Sequence, residues 1–186
     1  MLIRDILIGA LRRIGREELA RDIENDAEPS GEDADTVSTL MYCINATEDE
    51  LARYYFPLKC TETLYAKTSK TFNFSDFSHT PVKILSVKSG GERIDFELRT
   101  NCLIADARQA EITYCYAPSK KGMYGQSEFG NVGEGRIVEL GAASEYCQIS
   151  GEAALAEVWE TRYREAIDRA RKTYNVGGYI PPRRWV

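Results

Sequence analysis

The pattern of apolar and polar positions changes period twice along this chain. Ile3, Leu7, Ala10, Leu11 and Ile14 recur at helical spacing, with Asp5 in the first turn and Gly15 as a stop. The stretch 16–29 is acidic and irregular, with Glu17, Glu18, Asp22, Glu24, Asp26 and Glu28 against Arg16 and Arg21. It predicts a solvated loop with a helical turn at 19–23, or a surface kept negative. Ser30-Gly31-Glu32-Asp33 then offers a capping pattern ahead of a longer helix. Val37, Leu40, Met41, Ile44, Leu51 and Tyr55 form its stripe, and Glu48, Asp49, Glu50 and Arg53 its expected wet face. Pro57 ends that helix, because the residue before proline avoids the α region.

From about residue 61 to 116 the period becomes two. Thr63 and Tyr65, Phe72 and Phe74, then Ile94, Phe96 and Leu98, and finally Ile112, Tyr114 and Tyr116 each alternate with other residues. The run 82–87 is rich in β-branched residues, and Ser89-Gly90-Gly91-Glu92 is a hairpin turn signal. Leu103 and Ile104 follow a turn at Thr100-Asn101. Short strands at this spacing predict a small antiparallel sandwich or barrel. A glycine-rich loop occupies 118–135 and carries Met123, Tyr124 and Phe129, which are costly to leave in water. It is expected to be a mobile excursion or an assembly contact.

Helical spacing then returns. Ile137, Leu140, Ser144 and Cys147 make a narrow stripe, and Gly141, Ala142, Ala143 and Ser144 are small enough for close helix approach. Gly151 interrupts. Leu155, Trp159, Tyr163, Ala166, Ile167 and Ala170 make a second stripe. Glu160 with Arg164, Glu165 with Arg169 and Asp168 with Lys172 are i,i+4 pairs expected to mark the solvent face. The economical architecture is α+β: a four-helix cluster from 1–58 and 136–175, with a β-sandwich or barrel domain inserted at 59–117. The loop 118–135 and an extended tail, 176–186, complete it.

Composition narrows the function classes. The chain has 186 residues, 43% hydrophobic and 28% charged, which is ordinary for a globular protein. A formal charge of -5 argues against nucleic-acid binding by bulk electrostatics. No apolar run is long enough to cross a bilayer, and Asp5 comes too early for a secretory signal, so a cytoplasmic site of synthesis is expected. Cys43, Cys60, Cys102, Cys115 and Cys147 are odd in number, scattered and apolar in context, which fits packing rather than zinc or disulfides.

Catalytic constellations are scarce. His79 is the only histidine, and a hydroxyl beside it at Ser78 is not a triad without an orienting acid and an oxyanion hole. There is no P-loop. Asp76, Asp95, Glu97 and Asp106 could supply acid–base pairs, as carboxylates in any protein of this kind could. The expectation is no catalytic residue, no metal site, no cofactor and no enzyme.

The tail carries the strongest signal. After Gly177 and Gly178 come Tyr179, Ile180, Pro181, Pro182, Arg183, Arg184, Trp185 and Val186. The prolines favour an extended path, and Tyr, Trp and Arg are residue types that anchor interfaces. The segment reads as one to be buried by another chain, the alternative being that Trp185 packs on its own domain.

The order of elements resembles the head-to-tail connector proteins of tailed bacteriophages, closest to the tail tubular protein A-like adaptors beneath the portal. The residues behind this are Ala10-Leu11-Arg12-Arg13-Ile14-Gly15, Glu50-Leu51-Ala52-Arg53-Tyr54-Tyr55-Phe56-Pro57, Pro81-Val82-Lys83-Ile84-Leu85-Ser86-Val87, Asn101-Cys102-Leu103-Ile104 and Ala110-Glu111-Ile112-Thr113-Tyr114-Cys115-Tyr116, then the two last helices and the tail. The likeness spans nearly the whole chain and rests on order rather than on an invariant signature. It implies a homo-oligomeric ring, typically a dodecamer, in the neck of the virion and in the host cytoplasm during assembly. Its partners would be the portal protein and a downstream tail or neck protein, with DNA passing through the ring without specific binding and no membrane involved. Tyr179 to Val186 would reach the portal. An acidic lumen suits a DNA conduit, because phosphate contacts with Lys and Arg would hold the DNA; Lys120-Lys121 and Arg183-Arg184 depart from that balance and are expected to face protein. A non-enzymatic protein-binding module and a small cytoplasmic enzyme remain as alternatives.

Overall fold

The computed structural model describes residues 1–66 and 70–173. It is mixed α+β, with five α-helices and two small antiparallel sheets among the described residues. The described residues divide into two compact units: 1–55 with 120–173, and the stretch between them.

The first unit is helical. α1 (Ile3–Arg13) buries Ile3, Ile6, Leu7, Ile8, Ala10 and Leu11, and the Asp5 carboxylate accepts the Leu2 amide at 3.0 Å to cap its first turn. α2 (Glu17–Glu24) is a full two-turn helix where only a turn was expected. Leu19, Ala20 and Ile23 form a narrow buried edge, enough to fix the helix once α1 is there to receive it. α3 (Glu32–Glu50) continues as a π-helical turn, Leu51–Tyr55, just ahead of Pro57. α4 (Arg136–Ile149) and α5 (Ala153–Thr173) close the unit.

α4 is the hub, packing on α1, α3 and α5. Gly141 sits at a close three-helix approach. A Cβ built there would lie 2.5 Å from Thr47 Cγ2 on α3 and 3.0 Å from Tyr163 Cε2 on α5. Gly9 does the same for α1, leaving room for the Glu139 carboxylate of α4. Arg13 donates to Glu139 Oε2 from Nε at 3.0 Å and Nη2 at 2.5 Å, which ties the N-terminal helix to the C-terminal pair. The expected stripe of α5 needs one correction: Leu155 is 45% exposed, and Ala156 and Glu160 occupy the buried line instead. Glu160 is therefore not a solvent-face residue, although its pair with Arg164 forms at 2.7 Å and that of Glu165 with Arg169 at 3.1 Å.

The second unit is all-antiparallel. One sheet has the order β1 (Leu58–Tyr65), β7 (Gln109–Tyr116), β3 (Pro81–Ser89), β4 (Glu92–Arg93). The other runs β2 (Thr71–Asn73), β6 (Cys102–Ala105), β5 (Phe96–Leu98). Neither closes into a barrel, which corrects that half of the expectation; β2, β4 and β5 are two or three residues long, too short to carry a continuous ladder round. Phe72, Leu103 and Ala105 of the small sheet join Ile84, Val87, Ile112 and Tyr114 of the large one in a shared apolar cluster. The ladder of β3 on β7 slips at 81/83 and 84/86.

Candidate functional site

The eight tail residues singled out as a partner site, Tyr179 to Val186, lie outside the described residues. The other assembly candidates, Met123, Tyr124 and Phe129, are described, and the structure separates them. Phe129 is 1% exposed and belongs to the core of its own unit. Met123 is half-buried, and its carbonyl accepts the Arg4 amide at 2.8 Å. Tyr124 alone stands out, at 75% exposed.

The loop that carries them is strapped down. Ile3 donates its amide to the Gly125 carbonyl at 2.9 Å, Ser127 donates to Met1 O at 3.1 Å, and Leu2 forms an isolated antiparallel bridge with Gln126. Asn45 on α3 grips Lys121 at two points: its Oδ1 accepts the Lys121 amide at 2.7 Å, and its Nδ2 donates to the Lys121 carbonyl at 3.1 Å. One turn further along α3 is Glu48, expected on the wet face but only 1% exposed. Its carboxylate accepts a hydrogen bond from Ser127 Oγ and faces Lys121 Nζ at 3.7 Å, and Lys121 in turn reaches Glu128 at 3.2 Å. A buried carboxylate without partners would be strongly disfavoured, so Lys121 and Ser127 supply the reason Glu48 can sit there. Helical periodicity assigned Glu48 to solvent because it could not register a loop folding over that face.

The second polar cluster is in the β-unit. Glu62 sits on β1 in register with Leu58, Cys60 and Leu64, on the face that is otherwise half-buried and apolar. It accepts Ser78 Oγ at 2.6 Å, the Ser78 amide at 3.1 Å and Tyr114 OH at 2.6 Å. This is an acid beside Ser78-His79 that sequence reasoning missed; a charge in an inward strand position was its one visible signal. Ser78 donates its hydroxyl hydrogen to Glu62, and the His79 ring stacks on Tyr116 with centroids 4.1 Å apart, which is not the serine–histidine–acid order of a triad. Of the four carboxylates considered for acid–base work, Glu97 pairs with Arg99 and Asp106 with Lys70 at the surface, and Asp76 accepts from Asn73 Nδ2 at 3.5 Å.

Burial pushes the Glu62 carboxyl up, but the hydrogen bonds from Ser78 and Tyr114 outweigh it and hold the group below its ordinary value. Tyr114 is held above the ordinary phenol range by burial and then by Glu62. A carboxyl lowered by folding stabilises the native state above its unfolded value of about 4.5 and loses that contribution as pH falls through the folded value. Glu62→Gln is therefore expected to lower the melting temperature of the β-unit at neutral pH. Its deficit against the wild type should shrink as pH is taken from about 5 to about 3. A deficit that stays constant with pH, followed by near-UV circular dichroism, would show that the carboxylate charge is not the stabilising element.

Among the described residues, no group of three or more His, Cys, Asp or Glu side chains is placed to hold a metal ion, and no helix is long and apolar enough to cross a membrane. No protein-family model matches the chain, and no curated protein matches it.

Proposed function

We propose that this chain is a head-to-tail connector subunit of a tailed bacteriophage, an adaptor that forms a ring of identical copies beneath the portal, with DNA passing through the ring. The observation that carries the proposal is the layout of the helical unit. Residues from both ends of the chain meet on α4, and the Arg13–Glu139 pair links positions far apart in sequence, so the β-unit is an insertion within a helical frame. That is the order of elements on which the resemblance to adaptor proteins rests. In this reading α1, α3, α4 and α5 make the ring-building cluster, and the two sheets are the faces of a small sandwich. The segment 179–186 reaches the portal.

The surface chemistry supports an interaction protein over an enzyme. Tyr42 and Tyr124 are large, exposed aromatics on the helical unit, of a type that anchors interfaces. Burial, with Glu152 nearby, pushes the Cys147 thiol up, away from the low values of reactive thiols. The Ser78 hydroxyl is bonded to Glu62, whose carboxyl is held below its ordinary value and is therefore a weak base.

The test is the mass of the purified protein, alone and co-expressed with the portal gene from the same genome, by native mass spectrometry and electron microscopy. Closed rings of one defined size, seen alone or on the portal, are the expected result. A protein that stays monomeric in both settings overturns the connector reading and leaves the binding-module alternative.

A further inference from the structure

α5 packs on α4, and a groove of about 570 Å³ runs along that join. Its floor is apolar, from Ile137, Leu140 and Ala166, and its rim carries Arg136, Arg162 and Arg169, the last sharing its charge with Glu165 at 3.1 Å. In a chain of net charge -5 this is a concentrated basic edge. Arg162 is held in place by lying 4.8 Å over the Trp159 ring. Toward the start of α5 the line continues as Val158 and Leu155, each 45% exposed.

The opposite character appears on α3. Asp35 and Tyr42 are exposed and seven residues apart, hence on one face and separated by about 10 Å along the axis. Arg162 and Arg169 have the same spacing on α5. Near Tyr42 the Asn45–Lys121 clamp fastens the loop that bears Tyr124. Acid and aromatic on one surface thus match arginine and apolar floor on another.

We infer that the α4–α5 groove receives the α3 face of a second copy of this chain, Asp35 toward Arg169 and Tyr42 toward Arg162, the helices antiparallel. The two surfaces differ, so the contact is head-to-tail, and repeated contacts of that kind generate rings when the rotation closes. Tyr42 and Tyr124 supply the buried aromatic area, and the charges fix orientation and exclude the wrong register. The chain's own Arg183 and Arg184 carry the wrong sign for this rim. The inference rests on the ring reading and assigns its subunit contact.

The test uses the full chain under the condition in which the wild type forms oligomers, alone or co-expressed with the portal. Two variants are made: the groove-reversed R136E/R162E/R169E and the face-reversed Asp35→Arg. Each alone is expected to lose self-association, roughly a hundredfold for the triple reversal, with helicity unchanged. An equimolar mixture should regain assembly, because the reversed groove now fits the reversed face and the two wild-type surfaces still fit each other. A folded groove-reversed protein that assembles like the wild type overturns this contact and leaves the ring reading standing. Wild-type protein that never oligomerises overturns both. Assembly unchanged in both variants, with DNA retained only by the wild type, would reassign the groove to phosphate and likewise overturn the contact.

Discussion

Gly141→Ala should destabilise the helical unit by about 1–3 kcal/mol, although alanine is the better helix former. The reason is the three-helix crossing. The added methyl would lie 2.5 Å from Thr47 Cγ2 and 3.1 Å from Thr47 Oγ1, and 3.0 Å from the Tyr163 ring. Thr47 and Tyr163 are themselves fully enclosed, so neither can swing into solvent. Relief requires α3 or α5 to move off α4, the helix on which α1, α3 and α5 all pack. For a chain of this size the loss corresponds to a melting temperature lower by on the order of 5 °C. The compensating change is specific. Thr47 Oγ1 is buried with no hydrogen-bond partner, so Thr47→Ala removes the obstructing atoms while giving up no hydrogen bond. The double variant should recover most of the stability lost by Gly141→Ala. Thermal melts at 222 nm on the two single variants and the double variant measure the coupling. Additive losses would mean that the crossing has room that its geometry denies.

Deleting 179–186 is expected to abolish docking to the portal while leaving the helices intact. The argument stands on chemistry. Pro181 and Pro182 restrict the segment before it binds, which lowers the ordering cost. Trp185 and Tyr179 offer apolar area, and Arg183 and Arg184 offer charge-assisted hydrogen bonds. Loss of a buried tryptophan anchor commonly costs about 2–4 kcal/mol. Around a ring the loss repeats at every subunit, so avidity collapses with it. Binding of the deletion variant to purified portal, measured beside its circular dichroism spectrum, decides the point. Undiminished binding would show that the portal contact lies outside this segment.

How far the chain could be read depended on whether a signal was local. Alternation from about 61 to 116 located the strand region because a period of two is set by the pleat of each strand itself, whereas the pairing of β1 and β3 with β7 joins segments far apart in the chain. Gly15 and Gly151, both at positive φ, end helices by their own backbone freedom. The small residues of α4 announced a close crossing and Gly141 sits in one. Where the sequence misled, the deciding contact came from far along the chain. Glu48 looks solvent-facing on its helix until Lys121 and Ser127 close over it. Phe129 and the loop around it look mobile by composition until the backbone at 1–4 bonds to 123–127. Leu155 fits a helical stripe by spacing, but the line of α5 that meets α4 runs through Ala156, Glu160 and Tyr163.

The sequence by itself determined the period of each segment, the turns between them and the absence of familiar catalytic spacings, since all of these are set within a few residues by sterics and side-chain type. Only the tertiary structure decided which polar groups are buried, which aromatics remain outside and which charges share an edge. Glu62 with Ser78 and Tyr114, Asn45 with Lys121, and the arginines at 136, 162 and 169 are brought together by packing between elements. Burial and charge complementarity depend on distances across the fold, which no local period encodes.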